Sequence, residues 1–133
     1  MLSHLLAIAV SAVVMFAIGG LWYSPLLFAN AWARESGTPN EHNPDPKAQM
    51  RFFAILLVLL MAAAAVLDCL MSSWAPGPGI GHGLAVGLIG GTLTAAVIGM
   101  DTLFERKSLK LFLINAGYYL LSFCAAGLIL ALL

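Results

Sequence analysis

The chain has 133 residues, 62% of them hydrophobic and only 9% charged, with no net charge and a mean hydropathy of +0.98. Soluble domains carry roughly 25% charged residues, so water is not the main solvent. A zero net charge also offers nucleic acid no electrostatic footprint. The apolar residues form four long runs, at about 3–33, 50–73, 80–104 and 109–133. Each meets or exceeds the ~20 residues that cross a hydrocarbon core. They are continuous, where a membrane barrel would alternate in ten-residue segments, and lipid leaves the helix as the other solution. The predicted fold class is all-α: one polytopic domain over 1–133, a four-transmembrane-helix bundle.

The first run lacks the basic n-region of a secretory signal and far exceeds a 7–15-residue apolar core, so it reads as a retained helix. Its uncharged part would measure roughly 43 Å if straight, too long for a ~30 Å core. Pro25 resolves this by breaking the helix near Tyr23. The first transmembrane helix then covers about 3–25, and residues 26–33 lie along the interface, where Trp22, Tyr23, Phe28 and Trp32 are suited to the headgroup layer. A polar loop, 34–49, follows. Within it Asn43-Pro44 marks a turn and His42 is solvated, while Asp45 caps the second helix and Pro46 takes its first position.

The second helix, 50–73, ends in an outer loop, 74–79. The third, 80–104, carries small residues every fourth position: Gly79, Gly83, Gly87, Gly91, Ala95 and Gly99. A second seam, Gly83, Gly87, Gly90, Thr94, Val97 and Asp101, recurs at the 3.5-residue average of a packed pair. Small residues at such spacing let helices approach closely in lipid, so this helix is expected to be the most enclosed of the four. Packing inside the bundle is the first use of these faces; a homodimer interface and a substrate groove are the alternatives. Glu105-Arg106-Lys107-Ser108 is a tight turn, with Ser108 as N-cap of the fourth helix, 109–133.

All six Lys and Arg residues fall in two clusters, Arg34, Lys47 and Arg51, then Arg106, Lys107 and Lys110. Both lie in alternate connections, which the positive-inside rule keeps cytoplasmic. Both termini are then non-cytoplasmic, and a plasma or inner membrane is the expected location. The clusters also mark depth. Asp101 precedes one by five residues and Asn115 follows it by five, so the two share the inner level with Trp22, Tyr23, Ser24 and Tyr118. Ionisable and polar groups in a span default to functional candidates. Mutual hydrogen bonding that locks helix register is one reading of this group; binding a small solute, ion or lipid headgroup around Asp101 is the other. No nucleophile–base pair or facing carboxylates point to catalysis, and no cofactor is implied.

At the outer level His4, Asp68 and His82 share a layer. Two His and a carboxylate could ligate a metal, although no local His spacing supports one, and a hydrogen bond from Asp68 to one His is the simpler pairing. Cys69 and Cys124 lie inside spans without the paired spacing of thiol oxidoreductases.

Gly19-Gly20-Leu21-Trp22-Tyr23-Ser24-Pro25-Leu26-Leu27-Phe28, followed by Trp32, resembles the opening motif of a family of small four-helix membrane proteins catalogued as a domain of unknown function. Leu103-Phe104-Glu105-Arg106 and Leu109-Lys110-Leu111-Phe112-Leu113-Ile114-Asn115-Ala116-Gly117-Tyr118 look like its closing hairpin. The resemblance covers essentially the whole chain and implies a fold, but no activity. Where relatives often place a His after that Tyr, this chain has Tyr119, which weakens any proton-relay role at that position. Two function classes remain. One is a non-catalytic scaffold or accessory subunit, in a homodimer or larger membrane complex, packing through its glycine-rich helix. The other is a small transporter, for which four-helix drug exporters offer the analogy but whose first-helix acid is missing here.

Overall fold

The structure, a computed structural model, describes residues 1–38, 45–73 and 79–133. His42, the turn expected at residues 43 and 44 and most of the expected outer loop, 74–79, lie outside these. The described residues form five helices: α1 (Leu2–Trp22), α2 (Ala29–Ser36), α3 (Pro46–Ser73), α4 (Ile80–Phe104) and α5 (Leu109–Leu132). All but α2 are long and apolar enough to cross a membrane.

At 1.5 Å per residue α1 is about 31 Å long, one hydrocarbon thickness. It stops at Trp22, ahead of Pro25. The Tyr23 amide donates back to Gly19 and the Ser24 amide to Leu21, and the chain then turns, with the Phe28 amide donating to the Trp22 carbonyl. Part of the segment expected along the interface over 26–33 lies in the short helix Ala29–Ser36, which ends at Gly37, whose φ of 73° closes it in the left-handed conformation. Likewise α3 begins four residues ahead of position 50. The Asp45 carboxylate accepts from the Lys47 amide at 3.1 Å, so the cap and Pro46 extend the helix into the polar segment.

The α4–α5 turn is a Schellman closure. The Arg106 amide donates to Leu103 and the Lys107 amide to Thr102, with Arg106 itself at φ 57°. Ser108 Oγ accepts from the Leu111 amide and starts α5. The resulting antiparallel pair has the most extensive contact in the molecule. Gly83 and Gly127 lie so close that a Cβ on either would strike the other's carbonyl oxygen, and a Cβ on Gly87 would stand 2.5 Å from Phe123 O. Gly91 continues the contact against Leu120, and Gly99 against Phe112. Gly90 faces Leu67 of α3 and the Phe123 ring. Gly79 takes no part: it sits at the start of α4 with φ 145° and open space around it.

The expectation that this glycine-rich helix is the most enclosed is overturned. In the apolar stretch of α5, 44% of residues are buried, against 22% in α4. Glycines let α4 lie flat on one neighbour, whereas α5 meets α4 on one side and α1 and α2 on another. The core gathers Ala12 and Met15 of α1, Leu60 and Leu67 of α3, Val86 of α4 and Phe123 and Ala126 of α5. α3 leans chiefly on α1 and touches α4 and α5 lightly.

Gly87→Leu is expected to cost about 3 kcal/mol or more, because the obstruction is backbone that cannot rotate aside. Thermal unfolding in mild detergent measures it; an unchanged melting temperature would show that the two helices are not in backbone contact.

Candidate functional site

The end of the molecule where α1 stops, α2 turns and α5 starts gathers most of the polar groups singled out in the sequence. Pro25 turns the chain there, and Trp22 and Tyr23 are left facing α5. Trp22 Nε1 donates to the Ile114 carbonyl at 2.9 Å, and the indole lies over Gly117, where a Cβ would come within 3.0 Å of the ring. Tyr23 OH donates to Asn115 Oδ1 at 2.8 Å. Tyr118 OH reaches across to the Met15 carbonyl at 3.0 Å, its ring beside Gly19. Ser24 Oγ donates to the Leu21 carbonyl at 2.6 Å, which also accepts from the Ser24 amide where α1 ends.

Rings complete the cluster. Tyr23 meets Trp32 edge-on at 6.2 Å and Tyr118 at 5.5 Å, Trp22 packs on Phe28 at 4.7 Å, and Tyr118 meets Tyr119 at 4.9 Å. Arrangements of this kind suit the ring quadrupoles. The Tyr23 and Tyr118 hydroxyls, the Ser24 hydroxyl, the Trp22 indole and the Asn115 amide oxygen therefore address one another or main-chain carbonyls.

Asp101 does not join them. It is exposed on α4. The contact with α5 follows the four-residue row through Gly83, Gly87, Gly91 and Gly99, which advances about 40° around a helix at each step. The 3.5-residue seam drifts off that line, leaving Val97 and Asp101 on the outside. Equal depth brought Asp101 level with Asn115, but the wrong face keeps it away.

A second set of contacts at this end was not anticipated. Glu35 of α2 accepts from Ser108 Oγ at 2.5 Å, and Lys107 Nζ donates to the Ser36 carbonyl at 2.9 Å. These tie α2 to the α4–α5 turn. The sequence signal was the acidic Glu35 beside a C-terminal helix stop and a Lys-Ser pair in a tight turn, but nothing local placed them together. Gly19 and Gly117, which admit the Tyr118 and Trp22 rings, were present only as members of motifs.

At the opposite end the proposed outer trio divides. His4 Nδ1 lies 3.1 Å from both Asp68 oxygens, whereas the His82 ring lies 3.3 Å from the Met71 carbonyl. Among the described residues no three His, Cys, Asp or Glu side chains come together as metal ligands. Cys69 and Cys124 are both free thiols.

Over residues 6–131 the chain matches the model of the family described as protein of unknown function DUF1761, and it belongs to that family. No curated protein and no solved structure matches it.

Interhelical hydrogen bonds in membranes average about 0.6 kcal/mol and reach about 1.7. A double-mutant cycle of Tyr23→Phe and Asn115→Ala is expected to give a coupling in that range when unfolding is followed in detergent. A coupling of zero would contradict the Tyr23–Asn115 bond.

Proposed function

We propose that this family member is a non-catalytic integral membrane protein, a scaffold or accessory subunit, that crosses the bilayer four times. The observation that supports this best is the closure of the inner polar cluster on itself. Trp22, Tyr23, Asn115 and Tyr118 bond between α1 or the turn after it and α5, while Ser24 bonds back to Leu21, an arrangement that holds the end of α1 in register with α5. Trp22-Tyr23-Ser24-Pro25 is read as the family's defining element, whose work is to end α1 and dock it on α5. A transporter centred on Asp101 is less well supported, since that carboxylate faces away from the cluster. Gly83, Gly87, Gly91 and Gly99 of α4 are taken up by α5 of the same chain, so partners would be met by the exposed apolar faces of α3 and α4.

The proposed orientation has both termini outside and both basic clusters in the cytoplasm. It is supported by the way Arg34, Lys47, Arg51, Arg106, Lys107 and Lys110 gather at one end of the helices, as the tie between Lys107 and Ser36 requires. With Cys69 and Cys124 replaced, single cysteines at Ser36 and Leu133 test it. A membrane-impermeant maleimide applied to intact cells should label Leu133→Cys and spare Ser36→Cys; the reverse pattern refutes the orientation.

Affinity capture from native membranes with mass spectrometry tests the function itself. A scaffold should bring down the same membrane partners, or a second copy of itself, from wild type and from Asp101→Asn alike. A bound solute lost in Asp101→Asn, with assembly intact, would favour transport instead.

A further inference from the structure

A groove of about 360 Å³ runs between α1 and α3, lined by Val13 and Phe16 on one wall and Met50, Phe53, Ala54 and Leu57 on the other. That volume sits at the small end of the ~300–1,000 Å³ typical of ligand pockets. The lining contributes no polar side chain. Phe16 and Phe53, one from each wall, meet edge-on at 5.7 Å. The groove lies at the end where α1 stops and α3 begins.

The mouth is different in kind. Lys47, Met50, Ala54 and Leu57 stand three or four residues apart, on one face of α3, and Arg51 lies one turn ahead of Ala54. Both cations are exposed, and among the described residues neither is ion-paired. Asp45, which caps α3 through the Lys47 amide, is the one acid beside them among the described residues. On the walls, neither α1 nor α3 up to Leu67 carries an Asp or Glu. As α3 has 28 residues, about 42 Å, it overruns a ~30 Å core, and its first turns reach the headgroup layer.

We infer that this groove is a binding site for an anionic phospholipid, with one acyl chain between α1 and α3 and its phosphate held by Lys47 and Arg51. An apolar trough in one leaflet with unpaired cations at its headgroup end is the chemistry such a lipid requires. A zwitterionic lipid would fill the trough equally well but would gain less at the mouth. The inference rests on the membrane placement proposed above and goes beyond it by naming a ligand.

The test uses the full chain reconstituted in vesicles of equimolar phosphatidylglycerol and phosphatidylcholine. Lipid retained after mild detergent extraction is counted by native mass spectrometry. One cation near an anionic surface is worth about fivefold, so wild type should favour phosphatidylglycerol by at least that factor. Lys47→Gln/Arg51→Gln should lose the preference, while Arg106→Gln/Lys110→Gln, which removes two cations from the other connection, should keep it. Ala54→Trp should lower retention of both lipids by filling the trough, with Val13→Phe on the α1 wall as a second variant should the first fail to fold. Absence of a preference in wild type overturns the site. Equal loss in the two charge variants overturns it too, as would retention untouched by both wall variants. Carbonate washing of native membranes separates the two readings: a chain that is stripped off refutes the membrane placement, whereas one that stays without lipid preference refutes only the groove.

Discussion

The contact of backbone with backbone between α4 and α5 is the constraint from which the rest of the arrangement follows. Four of the helices are apolar enough to cross a bilayer, and in a bilayer burying Leu against Leu gives helices little reason to associate, because lipid tails are just as apolar. What holds them is dispersion over close surfaces, and dispersion weakens steeply as a gap opens. Gly83 and Gly127 remove side chains from both partners at one level, which is why neither tolerates a Cβ. With α4 flat against one side, α5 offers its remaining faces to α1 and α2, and α3 is left to lean on α1.

Polar bonds act at the other end of the same helix. Where glycine permits approach, Trp22, Tyr23 and Tyr118 fix direction, each reaching a specific oxygen on a neighbouring helix. The glycines there have a different purpose. Gly19 and Gly117 leave room for an aromatic ring rather than for a helix backbone. One residue type thus serves two packing modes, and only the neighbouring element distinguishes them.

Much of this was legible in the residues, and the misses have a common cause. Hydrophobic runs, the Pro25 stop and the Ser108 cap are local properties, written within a few positions of where they act. The depth of Asp101 and Asn115 was also readable from their distance to the basic cluster. Which way each residue faces was not, because it depends on whether α4 and α5 meet along a 4-residue or a 3.5-residue line. Over five turns those two lines part company, and Asp101 lies where they have separated. The enclosure of α5 was hidden for a related reason: small residues reveal how closely a helix can be approached, and say nothing of how many neighbours it has. Glu35 and Ser108, 73 positions apart, carry no signal in either segment alone.

The central position of α5 also bears on the order in which the molecule is made. Synthesis delivers α1, α2, α3 and α4 before it, and domains form in the order their segments emerge. α1 and α3 can pair early, through His4 with Asp68 and Phe16 with Phe53. Trp22, Tyr23 and the glycines of α4, however, have their partners on the last helix. Until it arrives, the glycine face of α4 is uncovered, and the turn after α1 lacks the acceptors that its indole and phenol use in the finished fold. A chain cut short before α5 would therefore leave Gly83 and Gly87 of α4, and the indole and phenol after α1, without the partners this structure gives them.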